Sequence, residues 1–230
     1  MRARPGFTLV ELLVSAALLA LVSAGVAAVM SACLGAWRAG EERADLAQQA
    51  EAVLDTVGRD LRASFIGRQG FFVSSDEGEG RSYLELTTLS RRMQRLLYLG
   101  QSDEALGENM SDLAQVIYFT EPAADGATFA LYRQEICPPE NEPLGEEALD
   151  PEQAQLLCDG VTWFALRFCD GPEQADWLAE WDSLAEGDPA AGSLPVAAEI
   201  ALALRQGGRE QACVTRVPVC MGENAGGGAP

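Results

Sequence analysis

The sequence contains no histidine and no lysine: its 16 basic residues are all arginine, against 35 acidic residues, for a formal net charge of −19. Without imidazole, histidine-based catalytic triads and histidine metal sites are excluded. Without lysine, Schiff-base chemistry and phosphate loops that depend on a lysine are excluded as well. Because phosphate contacts need a positively charged surface, we expect no binding of nucleic acid by so acidic a chain.

The composition is nevertheless that of a folded protein. The hydrophobic content of 48% is too high for a disordered chain. The 194 residues that follow Ala36 are enough to bury about 70% of their unfolded surface. The sequence therefore predicts one sizeable folded domain after an apolar N-terminal segment.

The apolar segment has no charged residue between Glu11 and Arg38. As a helix, Leu12 to Ala36 would be about 38 Å long, at about 1.5 Å per residue. The hydrocarbon core of a bilayer is about 30 Å thick, so this helix can span it with some tilt. Arg2 and Arg4 precede the segment, which predicts a cytoplasmic N-terminus and a C-terminal domain on the other side of the membrane.

Two simple interpretations of this segment compete with a more specific one. A cleaved secretory signal has a shorter apolar region, roughly 7–15 residues, and a small-residue cleavage site. A plain single-pass anchor accounts for the length alone. Neither explains Glu11, because a carboxylate at the edge of an apolar run is costly and by default needs a partner.

The residues around Glu11 resemble the processing site of the type IV pilin and pseudopilin superfamily. They read Gly6-Phe7-Thr8-Leu9-Val10-Glu11. The resemblance implies that a membrane prepilin peptidase cuts between Gly6 and Phe7 and that Phe7 becomes N-methylated. The freed amine of Phe7 would neutralise Glu11, in its own chain or in a neighbouring subunit. Leaving one member of such a pair buried without the other costs several kcal/mol.

Beyond the apolar segment, the sequence predicts a second helical half and then strands. Apolar residues recur at helical spacing and predict an amphipathic helix that covers a sheet and ends near Ser64. These residues are Leu46, Ala50, Val53, Leu54, Val57 and Leu61. Strands are predicted at Phe71–Val73, Tyr83–Thr87, Val116–Phe119, Phe129–Arg133, Val161–Phe168, Val196–Leu204 and Cys213–Val219. The third and fourth of these are expected to form a hairpin, and residues 138–157 and 170–193 to be acidic connections.

Scattered matches in the C-terminal half look like the minor pseudopilin J family of type II secretion systems. They are Leu157–Val161, Leu166–Phe168, Asp170-Gly171, Trp181–Ser183, Leu194-Pro195 and Glu199–Leu202, with Leu54–Leu61 similar to that family's helix end. The resemblance implies an α+β, pilin-like fold with a long N-terminal helix on an antiparallel sheet. The expected divisions are a leader at 1–6, a transmembrane helix at 7–36, its amphipathic continuation at 37–64, a periplasmic domain at 65–221 and a flexible tail at 222–230.

The function that this resemblance implies is structural rather than enzymatic, and it needs no cofactor. The chain would be a single-pass inner-membrane protein that helps to initiate a periplasmic pseudopilus for the export of folded proteins. Its implied partners are other minor pseudopilins, the major pseudopilin, the prepilin peptidase, the inner-membrane assembly platform and the lipid bilayer. A minor pilin of a type IV pilus or DNA-uptake machine is the first alternative, and a membrane-anchored periplasmic binding module is the second.

The cysteines suggest disulfides in an oxidising compartment. Cys33 lies in the apolar segment, so Cys137, Cys158, Cys169, Cys213 and Cys220 remain, enough for at most two bridges. Cys137 and Cys158 flank a polar stretch and are the first choice, since closing that loop would contribute about 3 kcal/mol. Cys169 is expected to pair with Cys213 or Cys220. No zinc spacing is present, and the acidic run Asp76–Gly80 lacks the ligand pattern of a calcium loop, so no metal site is predicted.

Overall fold

A computed structural model describes residues 8–67, 70–90, 111–124, 126–140, 142–145, 149–171, 177–185 and 190–219. The chain forms two compact units, residues 1–45 and residues 46–230. The helix α1 spans Leu9–Arg62. The strands are β1 Phe72–Gly78, β2 Arg81–Leu89, β3 Leu113–Pro122, β4 Phe129–Ile136, β5 Gln155–Cys169, β6 Trp181–Asp182, β7 Ala197–Gln206 and β8 Arg209–Pro218.

The described strands form one sheet in the order β6-β1-β2-β3-β4-β5-β7-β8. Each neighbouring pair in that order is antiparallel. One parallel contact joins Arg81 of β2 to Phe164 of β5. The pairing between β4 and β5 ends at Val161, so beyond this residue β5 can pair with β2 instead. The predicted β3–β4 hairpin is confirmed, with Tyr118 opposite Arg133.

The C-terminal part of α1 packs on one face of this sheet. All six residues of the predicted apolar stripe, from Leu46 to Leu61, are buried in the main core. Phe164, Leu166 and Phe168 of β5 face them, as their alternation predicts. The predicted α+β fold, with a long N-terminal helix and an antiparallel sheet, is therefore confirmed.

The opposite face of the sheet carries a second, smaller apolar cluster. Tyr83, Ile117 and Phe119 form its buried centre. Leu144 and Leu149, from the acidic stretch expected to be only a connection, pack against it. Part of this stretch therefore covers the outer face of β2–β4. Its acidic composition did not predict this packing.

The short strand β6 was not predicted from the sequence. Trp181 is 2% exposed, packs against Phe168 with ring centroids 6.3 Å apart, and donates from Nε1 to the carbonyl of Ser193 at 3.1 Å. A two-residue strand carries too little periodicity to be predicted from sequence. The predicted tail 222–230 lies outside the described residues.

The predicted Cys137–Cys158 disulfide is not formed, and the sheet explains why. Cys158 lies within β5 opposite Leu131, whereas Cys137 follows the far end of β4. Six residues of strand, about 20 Å at about 3.3 Å each, separate Leu131 from Cys137. A disulfide needs Cα atoms within about 7 Å, so the two thiols stay free. The prediction failed because β5 begins before Cys158, not after it.

The Cys169–Cys213 pairing is excluded by the same kind of geometry. Cys213 lies opposite Leu202, which lies opposite Phe164, and Cys169 is five residues farther along β5. That offset is about 16 Å along the strand direction. Both thiols are free in the structure. Cys220 lies outside the described residues, so its pairing with Cys169 stays a prediction.

Candidate functional site: the N-terminal helix and its anchor on the sheet

The first turn of α1 is closed by a reciprocal pair of side chains. The backbone N–H of Thr8 and its hydroxyl donate to Glu11 Oε2 at 3.5 and 3.4 Å, and the backbone N–H of Glu11 donates to Thr8 Oγ1 at 3.3 Å. This is a capping box, in which two unpaired N–H groups of a helix start are satisfied by side chains three residues apart. The spacing Thr8-x-x-Glu11 is a readable signal that was missed because Glu11 was considered only as a charge in the membrane.

The capping box determines where the Glu11 carboxylate lies. It is held beside the N-terminal end of the helix dipole, which favours a negative charge. The N–H that reaches it belongs to Thr8, the residue that follows Phe7 in the sequence. Gly6 and Phe7 themselves lie outside the described residues.

The helix that follows is long and apolar enough to cross a membrane. The apolar side chains of its N-terminal part are exposed: Leu21 and Trp37, for example, are each 72% exposed. A continuous apolar surface of this extent is unfavourable in water and marks contact with lipid or other protein. Ser15, the polar residue in its second turn, donates its hydroxyl to the carbonyl of Glu11 at 2.7 Å.

Within the unit 46–230, a buried ionic cluster attaches α1 to the sheet. Asp60 of α1 is 2% exposed, and its Oδ2 accepts from Tyr118 at 2.6 Å and from Arg133 Nε at 2.7 Å. Arg133 also donates from Nη1 to Glu135 at 2.7 Å, and Thr88 donates to the Asp60 carbonyl at 3.2 Å. The cluster thus fixes the last turns of the helix over β3 and β4.

The electrostatics of this cluster follow from its burial. Burial, followed by the negative charge of Asp60, raises the pKa of Tyr118 well above its ordinary value. Burial lowers the pKa of Arg133, but the charge and hydrogen bond of Asp60, together with Tyr118 and the hydrogen bond to Glu135, outweigh it, so the net shift of the Arg133 pKa is upward. Tyr118 is therefore neutral and Arg133 charged at any physiological pH, which keeps the hydrogen bonds to Asp60 intact.

A second buried carboxylate holds the covering loop on the outer face. Glu85 is fully buried and accepts hydrogen bonds from the Tyr83 hydroxyl and the Gln115 amide. The backbone N–H groups of Leu144 and Gly145 donate to the same carboxylate, at 2.8 and 3.4 Å. Glu85 thus connects two strands to the loop. An acid flanked by apolar residues in a predicted strand was the available signal for it.

The described residues offer neither a group of metal ligands nor a reactive thiol at Cys158. No group of three or more histidine, cysteine, aspartate or glutamate side chains in the described ranges could hold a metal ion. Burial raises the pKa of the Cys158 thiol to about 12, with a further contribution from Asp159, which makes it unreactive. The absence of enzymatic activity remains a prediction.

Comparisons with known proteins bear on the N-terminus and the fold. Residues 1–27 match the family described as "Prokaryotic N-terminal methylation motif", so the chain carries that motif. No curated protein matches the chain at a significant level. Among solved structures, the chain is similar to the type IV-like pilin TTHA1219 from Thermus thermophilus, with 13% identity and a TM-score of 0.46 over 75% of this chain and 94% of that chain. This likeness is too distant to carry a functional argument.

Proposed function

We propose that this chain is a minor pseudopilin of a type II secretion system, of the J family. It is made as a precursor in the inner membrane, cleaved between Gly6 and Phe7, and methylated at Phe7. It then joins other minor pseudopilins in the complex that initiates a periplasmic pseudopilus. Its role is that of a structural subunit, assembled through α1 and through surfaces of its periplasmic domain.

The observation that carries this proposal is the position of Glu11. It lies within the methylation motif, at the first turn of a helix able to span a bilayer, and is held there by Thr8. An ordinary anchor gains only a helix cap from an acid at this place, and an uncharged glutamine would supply that cap without the cost of a charge. A subunit whose processed N-terminus is a cationic amine gains a charge pair that sets the axial position of one helix relative to the next.

Mass spectrometry of the mature N-terminus is the first test. The full chain is expressed with a prepilin peptidase, and we expect a mature protein that begins at Phe7 and carries one added methyl group. A Gly6→Leu variant serves as the control, because a bulky residue before the cut should leave the leader attached. An intact Met1 in the unaltered chain, or a cut near Ala32, would contradict the proposal.

Substitutions at the capping box separate the charge of Glu11 from its role in the cap. Glutamine also satisfies a capping box, so Glu11→Gln keeps the helix start and removes only the charge. If the charge pair with Phe7 drives assembly, Glu11→Gln should fail to enter the filament complex as fully as Glu11→Ala. Thr8→Ala, which removes the cap and keeps the charge, should retain assembly.

Incorporation is measured by crosslinking in membranes that contain the other subunits, and folding by the fluorescence of the buried Trp181. Normal incorporation of Glu11→Gln would contradict the charge-pair argument. Which subunits co-purify then decides between a secretion system and the alternatives. Association with pilus subunits would identify a minor pilin, and the absence of any pilin-like partner would favour a membrane-anchored binding module.

A further inference from the structure

The exposed apolar segment of α1 ends at Trp37. Trp37 is the last large apolar side chain of this helix that is exposed, and the next one along the chain, Leu46, is buried. The eight residues between them contain no large apolar side chain and include five charged ones. At Trp37 and Arg38, α1 therefore changes from a helix that suits lipid to one that suits water.

The length of the apolar segment does not determine how deeply α1 lies in a bilayer. As a helix, Leu12 to Ala36 are about 38 Å long, whereas the hydrocarbon core is about 30 Å thick. Because of this surplus of about 8 Å, the helix could tilt or slide along its axis by several residues. A defined depth therefore needs an anchor at one end of the segment.

The indole of Trp37 has the properties of such an anchor. Tryptophan is enriched at membrane–water interfaces, because its ring is apolar and its N–H donates a hydrogen bond to polar groups at headgroup level. Trp37 is the only tryptophan or tyrosine in the sequence before Tyr83. The end of the apolar segment that lies away from the N-terminus is therefore the end that carries the anchor.

The charges that follow Trp37 occur in the order of the charges in a phospholipid headgroup layer. This layer is about 5–7 Å thick on each side of the core. It has phosphates on its inner side and, in phosphatidylcholine and phosphatidylethanolamine, cationic amines on its outer side. Arg38 comes first and is exposed, and a guanidinium binds phosphate oxygens in pairs. Glu41, the first acid, lies about 6 Å beyond Trp37 along the axis, at the level of the amines.

We propose that Trp37 and Arg38 form an interfacial anchor that binds the headgroup layer of the bilayer. The indole lies at the boundary of the hydrocarbon core, and the Arg38 guanidinium binds lipid phosphate. The anchor fixes the axial position of α1 in the membrane, and with it the depth of the first turn, which carries Glu11. The proposal rests on that part of the proposed function in which α1 spans the membrane, and it does not depend on processing at Phe7.

The depth of Trp37 is measured by fluorescence quenching with brominated lipids. The full chain is reconstituted in phosphatidylcholine vesicles whose acyl chains carry bromine either near the headgroup or near the chain ends. Trp37→Phe gives the signal of the other three tryptophans, which all lie in the unit 46–230, and subtracting it leaves the signal of Trp37. We expect the shallow bromines to quench Trp37 more strongly than the deep ones.

A second variant, Val26→Trp combined with Trp37→Phe, is the deep reference. Val26 lies eleven residues before Trp37. This spacing is about 16 Å along the axis, which is near the middle of a core about 30 Å thick. The deep bromines should therefore quench the introduced indole more strongly than the shallow ones.

The reference separates failure of the anchor from failure of the proposed function. If the introduced indole is quenched as expected, α1 is inserted. Stronger or equal quenching of Trp37 by the deep bromines, or no quenching of Trp37, would then overturn the anchor alone. If neither indole is quenched, α1 does not span the bilayer, and the anchor and the proposed function are both rejected. An unprocessed N-terminus with shallow quenching of Trp37 would reject the pseudopilin function and retain the anchor.

Arg38 and Arg43 provide a matched pair for the phosphate contact. Both are exposed arginines of α1, but Arg43 lies about 9 Å beyond Trp37 along the axis, outside a headgroup layer about 5–7 Å thick. Arg38→Glu places a carboxylate at the level of the phosphates, so Trp37 should move outward and its quenching by the shallow bromines should fall. Arg43→Glu makes the same charge change and should leave the quenching unchanged. An unchanged signal with Arg38→Glu, or equal losses with both variants, would refute the phosphate contact.

Discussion

Replacing Asp60 by alanine tests the buried anchor between α1 and the sheet. The Asp60 and Arg133 side chains are each 2% exposed and 2.7 Å apart. With about 4 Å between charge centres and an effective dielectric constant of about 20, their attraction is about 4 kcal/mol. Asp60→Ala leaves a buried guanidinium with Glu135 as its remaining ion-pair partner. We expect the free energy of unfolding to fall by about 3–5 kcal/mol.

The chain offers a matched control on the same helix. Asp55 and Arg59 also form an aspartate–arginine pair, but their side chains are 59% and 56% exposed. Because exposed pairs four residues apart contribute only about 0.3–0.5 kcal/mol, Asp55→Ala should change stability very little. Similar losses for Asp55→Ala and Asp60→Ala would show that burial of the pair does not determine its contribution.

A double substitution separates the charge from the packing. Asp60→Leu combined with Arg133→Met replaces the ion pair by apolar side chains, which is often nearly neutral for stability. Stability is measured by denaturant unfolding of the full chain in detergent, followed by the fluorescence of Trp181. If Asp60→Ala costs less than about 1 kcal/mol, or if the double variant is as unstable as Asp60→Ala, the reasoning is refuted.

Two further predictions concern the outer face and the buried thiol. Glu85→Gln replaces one of the two acceptor oxygens by an NH2 group that donates, so the N–H of either Leu144 or Gly145 loses its partner at a cost of about 1–3 kcal/mol. Hydrogen exchange of residues 142–145 should accelerate, and unchanged exchange would contradict the role of Glu85. The Cys158 thiol should resist alkylation at pH 8 until the chain unfolds, whereas the exposed Cys137 reacts at once. Early alkylation of Cys158 would contradict its burial. Folding raises the pKa of this thiol from 9.0 to about 12, so the folded state is favoured fully below pH 9. This stabilisation is lost as the pH rises toward 12.

Local sequence patterns determined the elements of this protein. The uncharged run after Glu11, the helical stripe from Leu46 to Leu61 and the alternation along β5 each depend on neighbours in sequence, and all three appear in the structure as predicted. The N-terminal methylation motif was readable for the same reason, because it consists of a few consecutive residues. The cap itself could have been predicted from Thr8 and Glu11.

The pairing of distant residues was decided by tertiary structure alone. The sequence predicted that Cys137 and Cys158 lie close together at the two ends of a loop. Because β5 begins before Cys158, the two cysteines lie at distant points of the β4–β5 pair instead. Asp60 contacts Arg133 only because α1 packs across β3 and β4. The order of charged residues in the sequence does not predict which face of the helix covers which strand. Among the described strands, β8 lies at one edge of the sheet, and this follows from the strand order rather than from any local pattern. Sequence determines what each segment can form, whereas burial and charge compensation depend on which segments meet in space.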